Sequence, residues 1–275
     1  MRIVDITRQY LLAEKTGDYE AYLASSQDFF NHYLMYWGSS DSSFVHENED
    51  EVNAKRQLVL QSLPHIEQKF LHAGLSLDAV EVILFVGQGT ANGHAFLQNG
   101  KPIVWIALES YHSQQQVDIF VTHELVHGLH YAQHPEFVFS SQIEKANLGR
   151  QLMTEGVASV LTQDLLGCSF ENALWADFLS QNNIASWMQS CRYQEQALGR
   201  YALDHWIDHS GAAIDLFFAN NPHNIWQYRA GYYLGASWVR AIQRQNHLMP
   251  AQLLSVPRNE LEDKMRKAGE RNRVS

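Results

Sequence analysis

Strand-like sequence is confined to one short window of this 275-residue chain. Val80–Val86 (Val-Glu-Val-Ile-Leu-Phe-Val) and Pro102–Leu108 (Pro-Ile-Val-Trp-Ile-Ala-Leu) are apolar, β-branched runs, and Asn99-Gly100 ahead of the second is a hairpin-turn signal. Elsewhere the apolar residues recur at helical spacing, as Tyr22, Leu23, Phe29, Phe30, Tyr33, Leu34 and Trp37 do. Residues 1–75 read as three helices. An acidic, serine-rich loop from Ser39 to Glu51 separates the second from the third, which Pro64 kinks or partly ends. Everything after about Ser113 is helical in pattern, broken at Pro135, Gly167-Cys168, Gln181-Asn182-Asn183 and Asn220-Asn221-Pro222. The expectation is a mostly helical α+β fold in one compact domain, with a small sheet between helical layers. The mixed-charge stretch from Arg258 to Arg273 reads as an exposed helix or frayed tail.

Composition narrows the function classes. The chain is 45% hydrophobic with 13 Phe, 12 Tyr and 7 Trp, ample for a core and unlike a disordered chain. Its formal charge of -10 repels phosphate backbones and anionic lipid, so neither nucleic acid nor a membrane is an expected partner. No run of about 18 apolar residues exists, and Asp5 and Arg8 interrupt the place where a secretory signal would need apolar sequence. With only Cys168 and Cys191, and no C-x-x-C spacing, the reading is buried, reduced thiols in a cytoplasmic protein. Histidine is the unusual entry, with 14 copies, four of them at positions 123, 127, 130 and 134.

His123-Glu124-Leu125-Val126-His127 is an H-E-x-x-H motif within a helical segment. Four residues of helix advance about 6 Å and nearly one turn, so both imidazoles leave one face and can bind one ion, while Glu124 lies one step around. A catalytic zinc needs a third protein ligand and an open position, and two sources compete. His130 and His134 extend the stripe but lie about 10 Å and 16 Å along the axis from His123. The chain would have to turn sharply after His127, yet the turn glycine and final histidine of the long metzincin motif are replaced by His130 and Gln133. Packing or solvent contacts at the helix end suit both histidines better. Glu155 is the leading candidate. It sits 28 residues past His127 inside the apolar run Leu152–Leu161, where an acid is costly unless paired or ligating, and Gly156 beside it permits close approach of another helix.

With those residues in place, the chain resembles the gluzincin clan of zinc metallopeptidases, and Glu155-Gly156-Val157-Ala158 is most similar to bacterial predicted zinc-dependent proteases. Gly231-Tyr232-Tyr233-Leu234-Gly235 resembles the Gly-Tyr-rich helix found late in that group. The likeness covers roughly residues 80–240. It implies a zincin-like metallopeptidase core over 76–245; the helical N-terminal layer over 1–75 and the C-terminal helix or tail over 246–275 are read from the residue pattern alone. The Gly-Ala-Met-Glu-Asn motif of the large aminopeptidases is absent, with Gly89-Thr90-Ala91-Asn92-Gly93 in a comparable place.

The expected chemistry is Zn²⁺ held by His123, His127 and Glu155 with water in the open position, and Glu124 as the general base that passes a proton to the leaving amine. Related enzymes add a Tyr or His donor for the oxyanion, and here Tyr232 is the first choice, ahead of His223 and Tyr228. An edge strand, either Gly93–Leu97 or Ile103–Ala107, would pair with an extended peptide. His94 reads as a turn or surface histidine. The expected partner is a peptide or protein substrate, with a basic one suited to the acidic chain. The competing readings are zinc-dependent hydrolysis of a non-peptide substrate and a non-catalytic metal-binding protein on the same fold.

Overall fold

The computed structural model describes residues 1–271. It is 64% helical, with one small sheet preceding the helix that carries the motif, the expected mostly helical α+β arrangement. Contacts divide the chain into two compact units, Met1–Leu129 and the residues from His130 onward.

The first unit holds β1 (Arg2–Asp5), α1 (Thr7–Thr16), α2 (Tyr19–Ala24), α3 (Gln27–Tyr36), α4 (Glu49–His72), β2 (Glu81–Phe85), β3 (Gly93–Gln98), β4 (Lys101–Ala107) and most of α5 (Gln114–Gln133). The strands form one sheet in the order β1-β2-β4-β3. β1 and β4 run parallel to β2 on either side, and β3 runs antiparallel to β4. The hairpin between β3 and β4 turns on Asn99 and Gly100 with φ of 53° and 76°, as an Asn-Gly turn requires. Of the two candidate edge strands, β4 is interior and β3 is the edge.

Strand alternation sends side chains to two helical layers. Trp105 and Phe85 meet Tyr33 of α3 edge-on, with centroids 5.4 Å and 5.1 Å away. Val104 faces α5, where a Cβ on Gly128 would lie 2.9 Å from its Cγ2. Glycine at 128 therefore lets the motif helix lie close on the sheet.

Several sequence expectations need correction here. Residues 1–75 are not helices alone, because β1 supplies an edge strand, and the second expected helix is two, broken at Ser25 and Ser26. The acidic loop ends earlier than Glu51. Asn48 and Glu51 form a capping box, and Glu49, Asp50 and Glu51 occupy the first turn of α4, where the helix dipole favours negative charge. α4 runs through Pro64 for 24 residues. Its buried stripe of Val52, Val59, Leu63, Ile66 and Phe70 outweighs the hydrogen bond that proline forfeits.

The second unit contains α6 (Gln142–Lys145), α7 (Leu148–Leu166), α8 (Phe170–Trp175), α9 (Gln181–Asp204), α10 (Gly211–Ile214), α11 (Ala230–Gln245), α12 (Pro250–Leu254) and α13 (Arg258–Arg271). The Gln181–Asn183 cluster starts α9, capped by Ser180, instead of breaking a helix. α11 packs on α7, α9 and α13. A Cβ on Gly156 of α7 would lie 2.6 Å from the Gly235 backbone of α11, so these helices meet backbone to backbone. Further along, Arg240 pairs with Asp164 at 2.7 Å and Gln243 donates to the same carboxylate at 2.6 Å. α13 is not a wholly exposed helix, since Leu261, Met265 and Ala268 are buried; positions 272–275 of the expected tail lie outside the described residues. No helix among the described residues is long and apolar enough to cross a membrane.

Candidate metal centre

α5 presents His123 and His127 one turn apart, both buried. Their Nε2 atoms face each other at 3.1 Å, with ring planes crossed at 80°. Donors about 2.0–2.2 Å from one tetrahedral ion lie roughly 3–3.5 Å apart, so the pair already has ligand spacing. Glu155, half-buried on α7, completes the group: one ligand atom from each of the three lies within 4.8 Å of the others. Two imidazoles and a carboxylate are a donor set suited to catalytic zinc. The residues present fit the ion.

Glu124 is buried on the same helix. A Cβ on Gly93, the first residue of β3, would lie 2.7 Å from Glu124 Cγ, so the missing side chain at 93 is the space that Glu124 fills. Tyr111 is fully buried nearby. Its hydroxyl donates to the Asn92 carbonyl at 3.1 Å, and burial, with the Glu124 and Glu109 charges adding to it, pushes the phenol up. Asn92 also accepts from Ala107 at 3.0 Å. The start of the edge strand is thereby fastened beside the motif helix.

That fastening extends back through the loop before β3. The Glu109 carboxylate accepts from the Gly87 N–H at 2.9 Å and the Gly89 N–H at 3.1 Å, while the Gln88 N–H donates to the Tyr33 hydroxyl at 2.8 Å. Burial raises the Glu109 carboxyl above the ordinary range, partly offset by those two N–H donors. Lys55 donates to the Glu109 carbonyl at 3.1 Å and pairs with Glu47.

The remaining sequence candidates fall elsewhere. His130 is fully buried against Phe137, with centroids 4.2 Å apart, and His134 pairs with Glu136 at 3.0 Å; neither joins the ligand group. His94 is neither a turn nor a surface residue. It is buried in β3, stacked on His32 at 5.7 Å and tilted against Trp37 at 5.0 Å, because strand alternation turns position 94 toward α3 while Gly93 faces α5. Tyr232 is half-buried near the start of α11, its ring against Phe217 at 5.5 Å and beneath the Arg229 guanidinium at 4.4 Å. Tyr228 packs on Trp175 at 5.2 Å, and His223 is exposed. Cys191 is buried but Cys168 only half so.

Sequence reasoning missed Arg229, Tyr111 and Glu109. Arg229 lies inside the aromatic stretch already singled out, but no local pattern distinguishes it from a surface arginine.

No curated protein and no solved structure gives a significant match. The family model described as Predicted Zn-dependent protease (DUF2268) matches residues 75–263, which include β2, β3, β4, both motif histidines and Glu155 but not β1 or α1 to α4. A match over the greater part of the sequence, with a His-His-Glu group inside it, places the chain in that family: it belongs to the predicted Zn-dependent proteases.

Proposed function

We propose that this protein is a zinc-dependent peptidase in which His123, His127 and Glu155 hold the metal and Glu124 is the general base. The observation that carries the reading is the convergence of three ligand atoms within 4.8 Å, with a buried glutamate next to the first of them in the chain. A bound zinc supplies Lewis acidity at the scissile carbonyl and lets water attack near neutral pH.

Glu124 takes the proton from the attacking water and delivers it to the leaving amine. Tyr232 donates a hydrogen bond to the oxyanion that develops on the former carbonyl. An extended peptide adds to the edge of β3, where backbone hydrogen bonds hold the chain whatever its side chains. The position of β3 at the sheet edge and the seat of Glu124 against Gly93 support that docking. The charge of -10 favours a basic peptide or protein segment. The protein acts in the cytoplasm, where Cys168 and Cys191 stay as thiols. Burial pushes Cys168 up to about 11 and raises Cys191 further, so neither is a nucleophile near neutral pH.

Cleavage of a mixed peptide library, with and without chelator, tests the reading together with Glu124→Gln. That variant keeps its zinc and loses about 10²–10⁴-fold in turnover. Undiminished cleavage by the variant, or cleavage by metal-free protein, rejects it.

A further inference from the structure

The second unit holds a cavity of about 170 Å³ lined by two arginines, Arg150 of α7 and Arg258 of α13. Arg150 is only 3% exposed, and a charge at that depth is costly without a counter-charge. Its Nε donates to the Phe137 carbonyl at 2.7 Å and its Nη2 to the Tyr131 hydroxyl at 3.2 Å, both neutral acceptors. Arg258 Nη1 donates to the Glu136 carbonyl. Among the described residues, no carboxylate pairs with either guanidinium. The acids alongside are engaged elsewhere. Glu144 lines the same cavity, but it accepts from the Ser140 N–H at 2.6 Å and hydroxyl at 2.8 Å, and those donors lower its carboxyl more than the two arginine charges do. Glu136 pairs with His134 at 3.0 Å.

The start of α7 adds no free donors to the cavity. The Leu148 and Gly149 N–H groups donate to the Asp208 and Trp206 carbonyls at 2.9 Å and 2.8 Å, and the Arg150 N–H donates to the Asn147 side chain at 2.8 Å. Recognition therefore falls to the guanidinium groups, whose planar forks match a carboxylate. The rest of the wall is apolar. Val138, Ile143 and Ile207 complete it, and the two isoleucines are left 61% and 80% exposed. A bare phosphate would neutralise the arginines and leave those side chains in water, whereas a ligand with an aliphatic body covers them. The volume is below the roughly 300 Å³ at which pockets for whole cofactors begin. The geometry points to a binding site for an organic carboxylate with a short apolar body, such as the C-terminal residue of a peptide ending in leucine. The site lies wholly within the second unit and includes none of the candidate metal ligands, so it stands apart from the peptidase reading.

The test is calorimetric titration of the full-length protein with N-acetyl-leucine, its C-terminal amide and inorganic phosphate at low salt. Metal is first removed with phenanthroline and dialysis, so that no bound ion holds the carboxylate. N-acetyl-leucine should bind at least about 10-fold more tightly than the amide or phosphate, because only it offers both a charged acceptor and an apolar body. Arg150→Met and Arg258→Met should each weaken it by about 10-fold or more. Ile207→Asp, which places a like charge on the exposed rim, should weaken it as well. Circular dichroism checks that each variant is folded. Arg150 also holds the Phe137 carbonyl, and if its variant does not fold, Arg258→Met and Ile207→Asp carry the test. No binding by the parent, equal binding of acid and amide, phosphate as tight as the acid, or parental affinity in both Arg258→Met and Ile207→Asp overturns the inference. None of these results bears on the zinc ligands, which are tested by metal content and cleavage.

Discussion

Glu109 and Glu124 lie in the same unit and are buried to nearly the same depth, 8% and 7% exposed, yet their surroundings differ in kind. Glu109 commits both carboxylate oxygens to backbone donors, one from Gly87 and one from Gly89. Its work is to hold the loop that leads into β3. Glu124 has its side chain seated against the bare backbone of Gly93 and shares a helix turn with the two histidines of the candidate metal group. A buried acid is therefore no sign of catalysis by itself, since a carboxylate already occupied by fixed backbone donors is a fastening. On the proposed reading Glu124 does chemistry and Glu109 holds architecture, and substitutions can separate them.

The largest effect is expected at the ligands. His123→Ala should remove both zinc and hydrolysis, read by metal analysis and by peptide cleavage on the same sample. Glu124→Gln should lower turnover by about 10²–10⁴-fold while leaving metal content and melting temperature near the parent values. Matching losses of metal in both variants would erase the distinction between ligand and base. Tyr232→Phe should lower kcat by about 10²-fold with little change in KM; parental kcat would return Tyr232 to packing alone.

Glu109→Ala should behave in the opposite way to Glu124→Gln. It orphans two backbone N–H groups, at about 1–3 kcal/mol each, and this should appear in denaturant unfolding while the zinc content of the folded protein is kept. Loss of metal without loss of stability would reverse the roles given to the two glutamates. The smallest effect concerns pH. Burial raises the folded-state value of Glu109 above that of the unfolded chain, so the folded protein holds this proton more tightly. Its stabilising contribution is full below the ordinary glutamate range and is lost as pH rises through the raised value. Thermal melts across that range should show less decline with rising pH in Glu109→Gln than in the parent; equal slopes would contradict the raised value.

Much of the candidate metal centre was legible because it obeys local rules. The i, i+4 spacing of His123 and His127 needs only a helix to bring two nitrogens to one side. Glu155 stood out as an acid within an apolar run, and Gly156 as a place for close helix contact, which the Gly235 backbone makes. The parts that escaped depend on distant partners. β1 has only Ile3 and Val4 between charged residues, too short for a pattern, and its pairing runs to Glu81–Leu84, far along the chain. His94 could not be oriented without knowing that Gly93 faces α5. Arg229 owes its placement to Trp175, more than fifty positions away in the sequence, and to a backbone angle that no composition encodes. Pro64 misled because a local penalty was outweighed by a buried helical stripe.

The most direct test of the central claim is a crystal structure of the protein grown with zinc, with anomalous diffraction collected at the zinc absorption edge. The account predicts one strong peak bonded to His123 Nε2, His127 Nε2 and a Glu155 carboxylate oxygen. A peak elsewhere, or an ion on the two histidines with Glu155 turned away, would contradict it.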